Sequence, residues 1–373
     1  MDEHPSPFIF DGPIPPEEVV GRDAELAALR TRAQAGRFTL LYAPRRYGKT
    51  SLIGRLQHDS DRSGDMFVIA VDLEGCQNID DLTRRFAAAY NRLPRTRVGA
   101  LLRAGATALQ TFQPTIPTAL GSFSIAGAPP SAQVLERLLS LPLEAAEKTK
   151  SRILVVLDEF QAIASISNAD SILRSQIQHQ RRHVSYLFSG SERHVLHTIF
   201  SDMAKPLYGQ AEQLQLGPLP AEPAVSMVIN KFESTGRDPG TALELLIKAA
   251  AGHPQRLAFL GDSLWHNTPP GEAADEGAWN TALAQALRAT QYEFVAMETA
   301  LTPPQRRVVR LLAWGEPATG AAAARLGLGK GSGAKALESL IAKSIASPRT
   351  EAAASHLIDP LFAIWIRSRQ PRP

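Results

Sequence analysis

The 373-residue chain contains a single cysteine, Cys76, which excludes an intramolecular disulfide and any cysteine-rich zinc site. Its nine histidines show no metal-ligand spacing. No run of apolar residues approaches the ~20 needed to span a bilayer, and Met1-Asp2-Glu3-His4-Pro5 lacks the basic start and apolar core of a secretory signal. These absences predict a cytoplasmic protein with no membrane partner. Net charge is small, +3, but lopsided: residues 301–373 carry 11 Lys plus Arg against 4 Asp plus Glu, a net of +7, whereas residues 1–300 carry 29 against 33. A basic segment suits a polyanion, and arginines also simply solubilise small domains. The length leaves room for two or three domains, each with its own core.

What the chain does contain begins with Ala43-Pro44-Arg45-Arg46-Tyr47-Gly48-Lys49-Thr50-Ser51. An apolar run, Phe38-Thr39-Leu40-Leu41-Tyr42, precedes it and Ser51-Leu52-Ile53 onward reads as a helix, so the predicted order is strand, loop, helix. In that order the backbone N–H groups of the loop and the positive end of the helix point at one spot. Lys49 reaches the β and γ phosphates of a nucleoside triphosphate, and Thr50 ligates Mg²⁺. The stretch departs from G-x-x-x-x-G-K-[ST] at Ala43, which fits only if its φ is negative. Taken alone, Gly-Lys-Thr also opens ordinary helices.

A second run, Ile153-Leu154-Val155-Val156-Leu157-Asp158-Glu159, has five consecutive aliphatic residues and reads as a strand buried on both faces. Its two carboxylates fall at the carboxyl tip, where open α/β sheets place ligands. Asp158 is expected to hold Mg²⁺ through water, and Glu159 to orient and polarise the water that attacks the γ-phosphate. A third strand, Val184-Ser185-Tyr186-Leu187-Phe188, ends in Ser189-Gly190-Ser191-Glu192-Arg193. Ser189, Ser191 or Arg193 at that tip is placed to sense the γ-phosphate; Arg193 equally suits the first turn of the next helix. The sheet is expected to carry the loop strand near its centre.

The remaining punctuation divides the chain into an extended lead-in over 1–20, a P-loop core over 21–217, a helical lid over 218–300 and a last segment over 301–373. Within the core, 66–72 reads as a strand, 79–93 as a helix with Leu82, Phe86 and Ala89 on its apolar face, and 131–148 as a further helix. Between 95 and 130 the pattern dissolves into Gly, Pro, Thr and Ala, with Phe112, Ile116, Phe123 and Ile125 scattered through it, and predicts an inserted hairpin or loop. A weaker strand over 212–216 closes the sheet. Alternating strands and helices followed by helices alone predict an α/β, three-layer parallel sheet with a helical lid. In the lid, Gly252-His253-Pro254-Gln255-Arg256 marks a sharp break between two helices.

The last segment opens with Leu301-Thr302-Pro303-Pro304-Gln305 and then reads as helix, short helix, glycine-rich turn, helix over 332–345 and a strand pair ending near Ile358. That is the order of a winged helix. Lys330, Lys335 and Lys343 stand near the helix offered to a DNA groove, but no cluster of base-reading side chains accompanies them. Double-stranded DNA and a protein partner are both open for this segment.

Taken together these motifs resemble the AAA+-related P-loop ATPases of the STAND class, in its archaeal-type ATPase branch close to the origin-recognition ATPases. The resemblance runs from Val20 onward. It rests on Gly21-Arg22-Asp23, Pro44 to Thr50, Leu157-Asp158-Glu159-Phe160-Gln161, Phe188-Ser189-Gly190-Ser191, Pro206-Leu207-Tyr208-Gly209, Gly252-His253-Pro254, and Asp359-Pro360-Leu361-Phe362 with Trp365. It implies an α/β P-loop NTPase fold with a C-terminal winged helix, and ATP with Mg²⁺ rather than GTP. It further implies that Gly252, His253, Pro254 and Arg256 pack on the nucleotide, and that ATP shifts a closed form toward an open, self-associating homo-oligomer. The chain departs from the pattern at Ala43 and at Gln210, where an arginine is expected; the second departure leaves the source of a catalytic arginine open.

Two functions follow. The first is an ATP-binding and ATP-hydrolysing molecular switch, slow in turnover, that engages a DNA or protein partner through 301–373. The second is a DNA-binding regulator or recruitment platform in which nucleotide is structural.

Overall fold

The computed structural model describes residues 5–111, 116–118, 121–123, 131–329, 331–350 and 353–373. Phe112, Ile125 and Lys330 lie outside them. The described chain forms two compact units. One comprises Asp23–Ala43 with Leu52–Leu216; the other comprises the chain up to Arg22, Pro44–Ser51 and Gly217–Pro373.

The first unit is built on five parallel strands: β1 (Thr39–Tyr42), β2 (Phe67–Asp72), β5 (Ile153–Asp158), β6 (Val184–Gly190) and β7 (Glu212–Gln215), in the order β2-β5-β6-β1-β7. The central strand is therefore β6, with β1 second from one edge. A separate antiparallel hairpin joins β3 (Ile116–Thr118) to β4 (Gly121–Phe123). The helices of this part of the chain are α1 (Asp23–Gln34), α2 (Lys49–Ser63), α3 (Ile79–Asn91), α4 (Arg97–Thr111), α5 (Ser131–Thr149), α6 (Ala169–Ile177) and α7 (Arg193–Ser201).

Every residue of β6 and the first five of β5 are buried, which is why β5 is continuously apolar instead of alternating; the polar groups inside β6 are buried with it. Successive β6 side chains reach opposite layers. Ser185 Oγ donates to the Ala33 carbonyl of α1 at 3.2 Å, whereas Tyr186 donates at 3.0 Å to Gln180, whose amide donates in turn to Leu139 of α5. The core around α3, α4 and α5 contains Phe86, Tyr90, Leu102, Leu138 and Phe160. At the open edge, β7 is largely exposed and carries Glu212, paired with Arg32 and Arg37; charge there discourages pairing with another chain.

The stretch expected to be a hairpin or loop over 95–130 holds the hairpin but also α4. This helix buries Val98, Leu102 and Ala106 at fourfold spacing, a stripe hidden in the sequence by its Gly and Ala.

The second unit holds α8 (Ala221–Glu233), α9 (Ala242–Ala250), α10 (Pro254–His266), α11 (Glu276–Ala289), α12 (Gln291–Thr299), α13 (Pro303–Ala313), α14 (Ala321–Arg325), α15 (Ser332–Ala342) and α16 (Pro360–Arg369). One apolar core runs through it, from Phe8 and Phe232 to Leu361 and Trp365. The N-terminal segment is stapled on by Phe8 edge-on to Phe232 at 5.8 Å and by Lys231, which donates to the Pro7 carbonyl at 2.7 Å and pairs with Glu18 at 2.6 Å. Where a strand pair was expected near Ile358, a single antiparallel bridge joins Ala346 to Leu357. No helix among the described residues is long and apolar enough to cross a membrane.

Candidate functional site

The parallel register brings the carboxyl ends of β1, β5 and β6 to one edge of the sheet. Tyr42 is level with Gly190, the Ala43 N–H donates to the Gly190 carbonyl at 3.4 Å, and Leu157 is level with Phe188. Asp158 ends β5. The chain then turns at Glu159, which takes a left-handed conformation with φ 49° and ψ 43° before a 3₁₀ turn over Phe160–Ser165. A non-glycine residue there costs on the order of 1 kcal/mol, and the turn aims its carboxylate along the strand tips. Glu159 Oε2 accepts from Gln161 Nε2 and from Ser191 Oγ, the latter at 3.3 Å. Ser189, one of the expected sensors, is fully buried in β6, and its hydroxyl has no hydrogen-bond partner among the described residues. Ser191 is therefore the serine that touches the acid. Arg193 opens α7 and lays its guanidinium over the Tyr42 ring, 5.4 Å from the centroid.

After β1 the chain enters the loop. Among its non-glycine residues only Arg46 has a positive φ, 66°, so Ala43 leads in with ordinary backbone. Gly48, at φ 86°, takes a conformation that suits glycine. Lys49 begins α2 with its side chain buried; Thr50 and Arg45 are exposed. Ser51 Oγ accepts from the Ile14 N–H at 3.3 Å.

Residues of the loop, the 217–300 helices and the last helix meet within the second unit. Arg46 donates to Glu293 Oε1 of α12 at 2.8 Å. Tyr47 stands edge-on to the His253 ring, with centroids 4.9 Å apart. His253 caps α10 by accepting the Arg256 N–H on Nδ1 at 3.3 Å, which requires that nitrogen to be unprotonated. Arg256, 2% exposed, forks onto Asp359: its Nε lies 3.1 Å from Oδ1 and 3.0 Å from Oδ2, and its terminal nitrogen lies 3.6 Å from Glu293 Oε2. Asp359 also caps α16, accepting from Leu361 N at 3.0 Å.

Burial dominates the titration of this cluster. It pushes the Tyr47 hydroxyl up to about 12, with the Asp359 charge adding to the rise, and pushes His253 down to about 4, with Asp359 opposing and Arg256 assisting. Both rings are neutral at pH 7.

No cluster of three or more His, Cys, Asp or Glu is placed to hold a metal among the described residues. Thr50 of the loop is exposed, and Asp158 at the tip of β5 is half-buried; hydroxyl and carboxylate oxygens are the hard donors that Mg²⁺ takes.

Comparison with known proteins bears on this geometry. Residues 18–188 match the family described as AAA ATPase domain. The enzyme class that this match supports is that of an ATPase. The Walker-type ATPase of Pyrococcus abyssi is similar in structure, with 16% identity over 94% of this chain and 97% of its own and a TM-score of 0.69. The Aeropyrum pernix ORC2 protein, solved as ADPNP-ADP complexes, shares 16% identity over 96% and 97% of the two chains, with a TM-score of 0.56. At such identities the likeness shows the fold, an α/β P-loop architecture. No curated protein matches the chain by sequence.

Two members of the loop cluster escaped the reading of the sequence. Glu293 sits in a helix with no motif around it. Asp359 belongs to a motif that signals helix capping, Asp before Pro, and nothing local marks it as the partner of an arginine 103 positions earlier. In the sheet unit, Gln161 likewise stood in a motif without a role, though its spacing of two from Glu159 across a turn was visible.

Proposed function

We propose that the chain is an ATP-hydrolysing molecular switch in which the 44–51 loop senses the triphosphate and passes its state to the 218–300 lid and the 301–373 segment. Lys49 and the loop amides hold the β and γ phosphates. Thr50, and Asp158 through water, would hold a Mg²⁺ that neutralises phosphate charge. Glu159 takes the proton of the attacking water as its oxygen bonds to the γ-phosphorus; the bond to the β–γ bridging oxygen breaks and its electron pair leaves with ADP. Ser191 and Gln161 steady that carboxylate, and Arg193 stands at the neighbouring strand tip. The nucleotides bound to the Aeropyrum pernix protein support adenine as the base.

The observation that carries the switch is the chain of contacts from Arg46 through Glu293 and Arg256 to Asp359. Arg46 and Arg256 are ideal phosphate ligands that here rest on carboxylates. A triphosphate at the loop competes for both, so binding loosens the loop from α12 and the lid from α16. Sizing the protein with and without a slowly hydrolysed ATP analogue tests this: a nucleotide-dependent change that Lys49→Ala abolishes is expected, and identical elution in all four samples refutes the switch.

A second reading, a DNA-binding regulator with structural nucleotide, is favoured by the +7 charge of 301–373. A cavity of about 480 Å³ at the N-terminal ends of α13 and α15, lined by Thr302, Ser332, Lys335 and Ser339, adds a place for a phosphate. Salt-dependent duplex binding without measurable turnover is its signature.

A further inference from the structure

We propose that Gln161 is the positioning residue that decides which oxygen of Glu159 acts as the base, and that Gly190 is glycine to make room for it. Both features lie within the sheet unit and rest on the assignment of Glu159 made above.

Glu159 offers two oxygens, and the structure treats them differently. Oε2 accepts both the Gln161 amide and the Ser191 hydroxyl, while Oε1 accepts no hydrogen bond among the described residues. An oxygen already holding two donors is a poor proton acceptor; its partner is the basic one. Fixing Oε2 therefore leaves Oε1 as the atom directed to water. The orientation of the amide is set by chemistry, since turning it over would place its carbonyl oxygen against a carboxylate.

The other end of the amide supplies an independent observation. Gln161 Oε1 is buried and without a hydrogen-bond partner among the described residues. It packs against the Cα of Gly190, so closely that a Cβ added there would stand 2.1 Å from it. Gly190 does not have a positive φ, so its backbone does not demand glycine. What demands it is the carboxamide, which fills the side-chain position at the tip of β6. A buried amide oxygen left unpaired calls for a reason, and the hydrogen bond that the other end of the amide gives Glu159 supplies one. The slot at Gly190 and the turn at Glu159 hold the amide between them.

The full-length protein tests this directly, as wild type, Gln161→Ala, Gly190→Ala, the double variant and Glu159→Gln. ATP turnover and the affinity for a slowly hydrolysed analogue are measured for each, with the thermal midpoint recorded. Gln161→Ala should lower kcat by about 10-fold to 100-fold, short of the general-base range of 10²–10⁴, with analogue affinity unchanged; a merely structural residue would change both or neither. Gly190→Ala should do the same by expelling the amide. The double variant should be no worse than the worse single one, because removing the carboxamide removes the 2.1 Å clash and leaves Leu196, at 3.1 Å, in contact with the added methyl. Two results overturn the proposal while leaving Glu159 as base: Gln161→Ala turning over within twofold of wild type while Glu159→Gln is inactive, or single effects that multiply in the double variant. A Glu159→Gln protein that still hydrolyses ATP removes the base assignment itself and the proposal with it. Should Gly190→Ala fail to fold, the kcat-against-affinity split of Gln161→Ala decides alone.

Discussion

The strand tips and the loop cluster are two ways of building a charged site. At the tips of β5 and β6 the acids stand on strands buried along almost their whole length, and Glu159 is steadied by an amide and a hydroxyl. Around the loop, opposite charges from four separate segments balance one another: Arg46, Arg256, Glu293 and Asp359. Neutral donors on a rigid scaffold leave a carboxylate where it is when a substrate arrives. Arginines held by carboxylates have an alternative partner in any phosphate, so they are free to exchange. On the proposed function, the first region serves chemistry and the second response.

Breaking the second region should show how much of its order depends on pairing. Asp359→Ala leaves the Arg256 guanidinium, 2% exposed, without its two-point partner, and is expected to cost about 3–5 kcal/mol in urea unfolding. Replacing both residues by apolar ones of similar volume should recover most of that loss. If Asp359→Ala costs less than about 1 kcal/mol, the pair is not what holds α16 to α10.

Acid is the next probe. His253 sits at about 4 in the fold against an ordinary value of 6.5, so the unfolded chain takes up its proton first as pH falls. Its contribution to stability is therefore complete above pH 6.5 and is lost between 6.5 and 4, by on the order of 3 kcal/mol. His253→Asn, which keeps a capping acceptor but does not titrate, should flatten that part of the stability–pH curve. An unchanged slope would mean that other groups produce it.

The smallest effect sharpens the comparison. Arg46 and Glu293 are half exposed, and such pairs contribute 0–1 kcal/mol to stability. Glu293→Gln should therefore unfold almost like wild type yet bind ATP about five-fold tighter, ~1 kcal/mol of coupling, because Arg46 is released toward phosphate while Arg256 keeps Asp359. Equal affinity in calorimetry would show that Glu293 does not compete with nucleotide.

The same contrast explains what could be read in the residues beforehand. Five aliphatic residues ending in Asp158-Glu159, and a Gly48-Lys49-Thr50 turn after Leu40-Leu41-Tyr42, are contiguous, and contiguity is what periodicity detects. The parallel sheet and its acidic tip were legible for that reason. Helix α4 was not, because Gly99, Ala100, Gly105 and Ala106 read as loop until Val98 and Leu102 are seen to be buried together. The central place of β6 depends on strand pairing, which no single segment encodes. The ties of Arg46 to Glu293 and Arg256 to Asp359 span 247 and 103 positions, beyond any local pattern. Ser189 and Ser191 are two apart and share one face of the pleat, so alternation cannot separate them; Ser189 lies inside β6, and Ser191, just past its end, is the one that meets Glu159.

The most direct test of the account is ATP hydrolysis by Glu159→Gln beside wild type, with analogue affinity measured in the same preparations. Unchanged affinity with turnover reduced at least ~100-fold is predicted; turnover at the wild-type rate would contradict it.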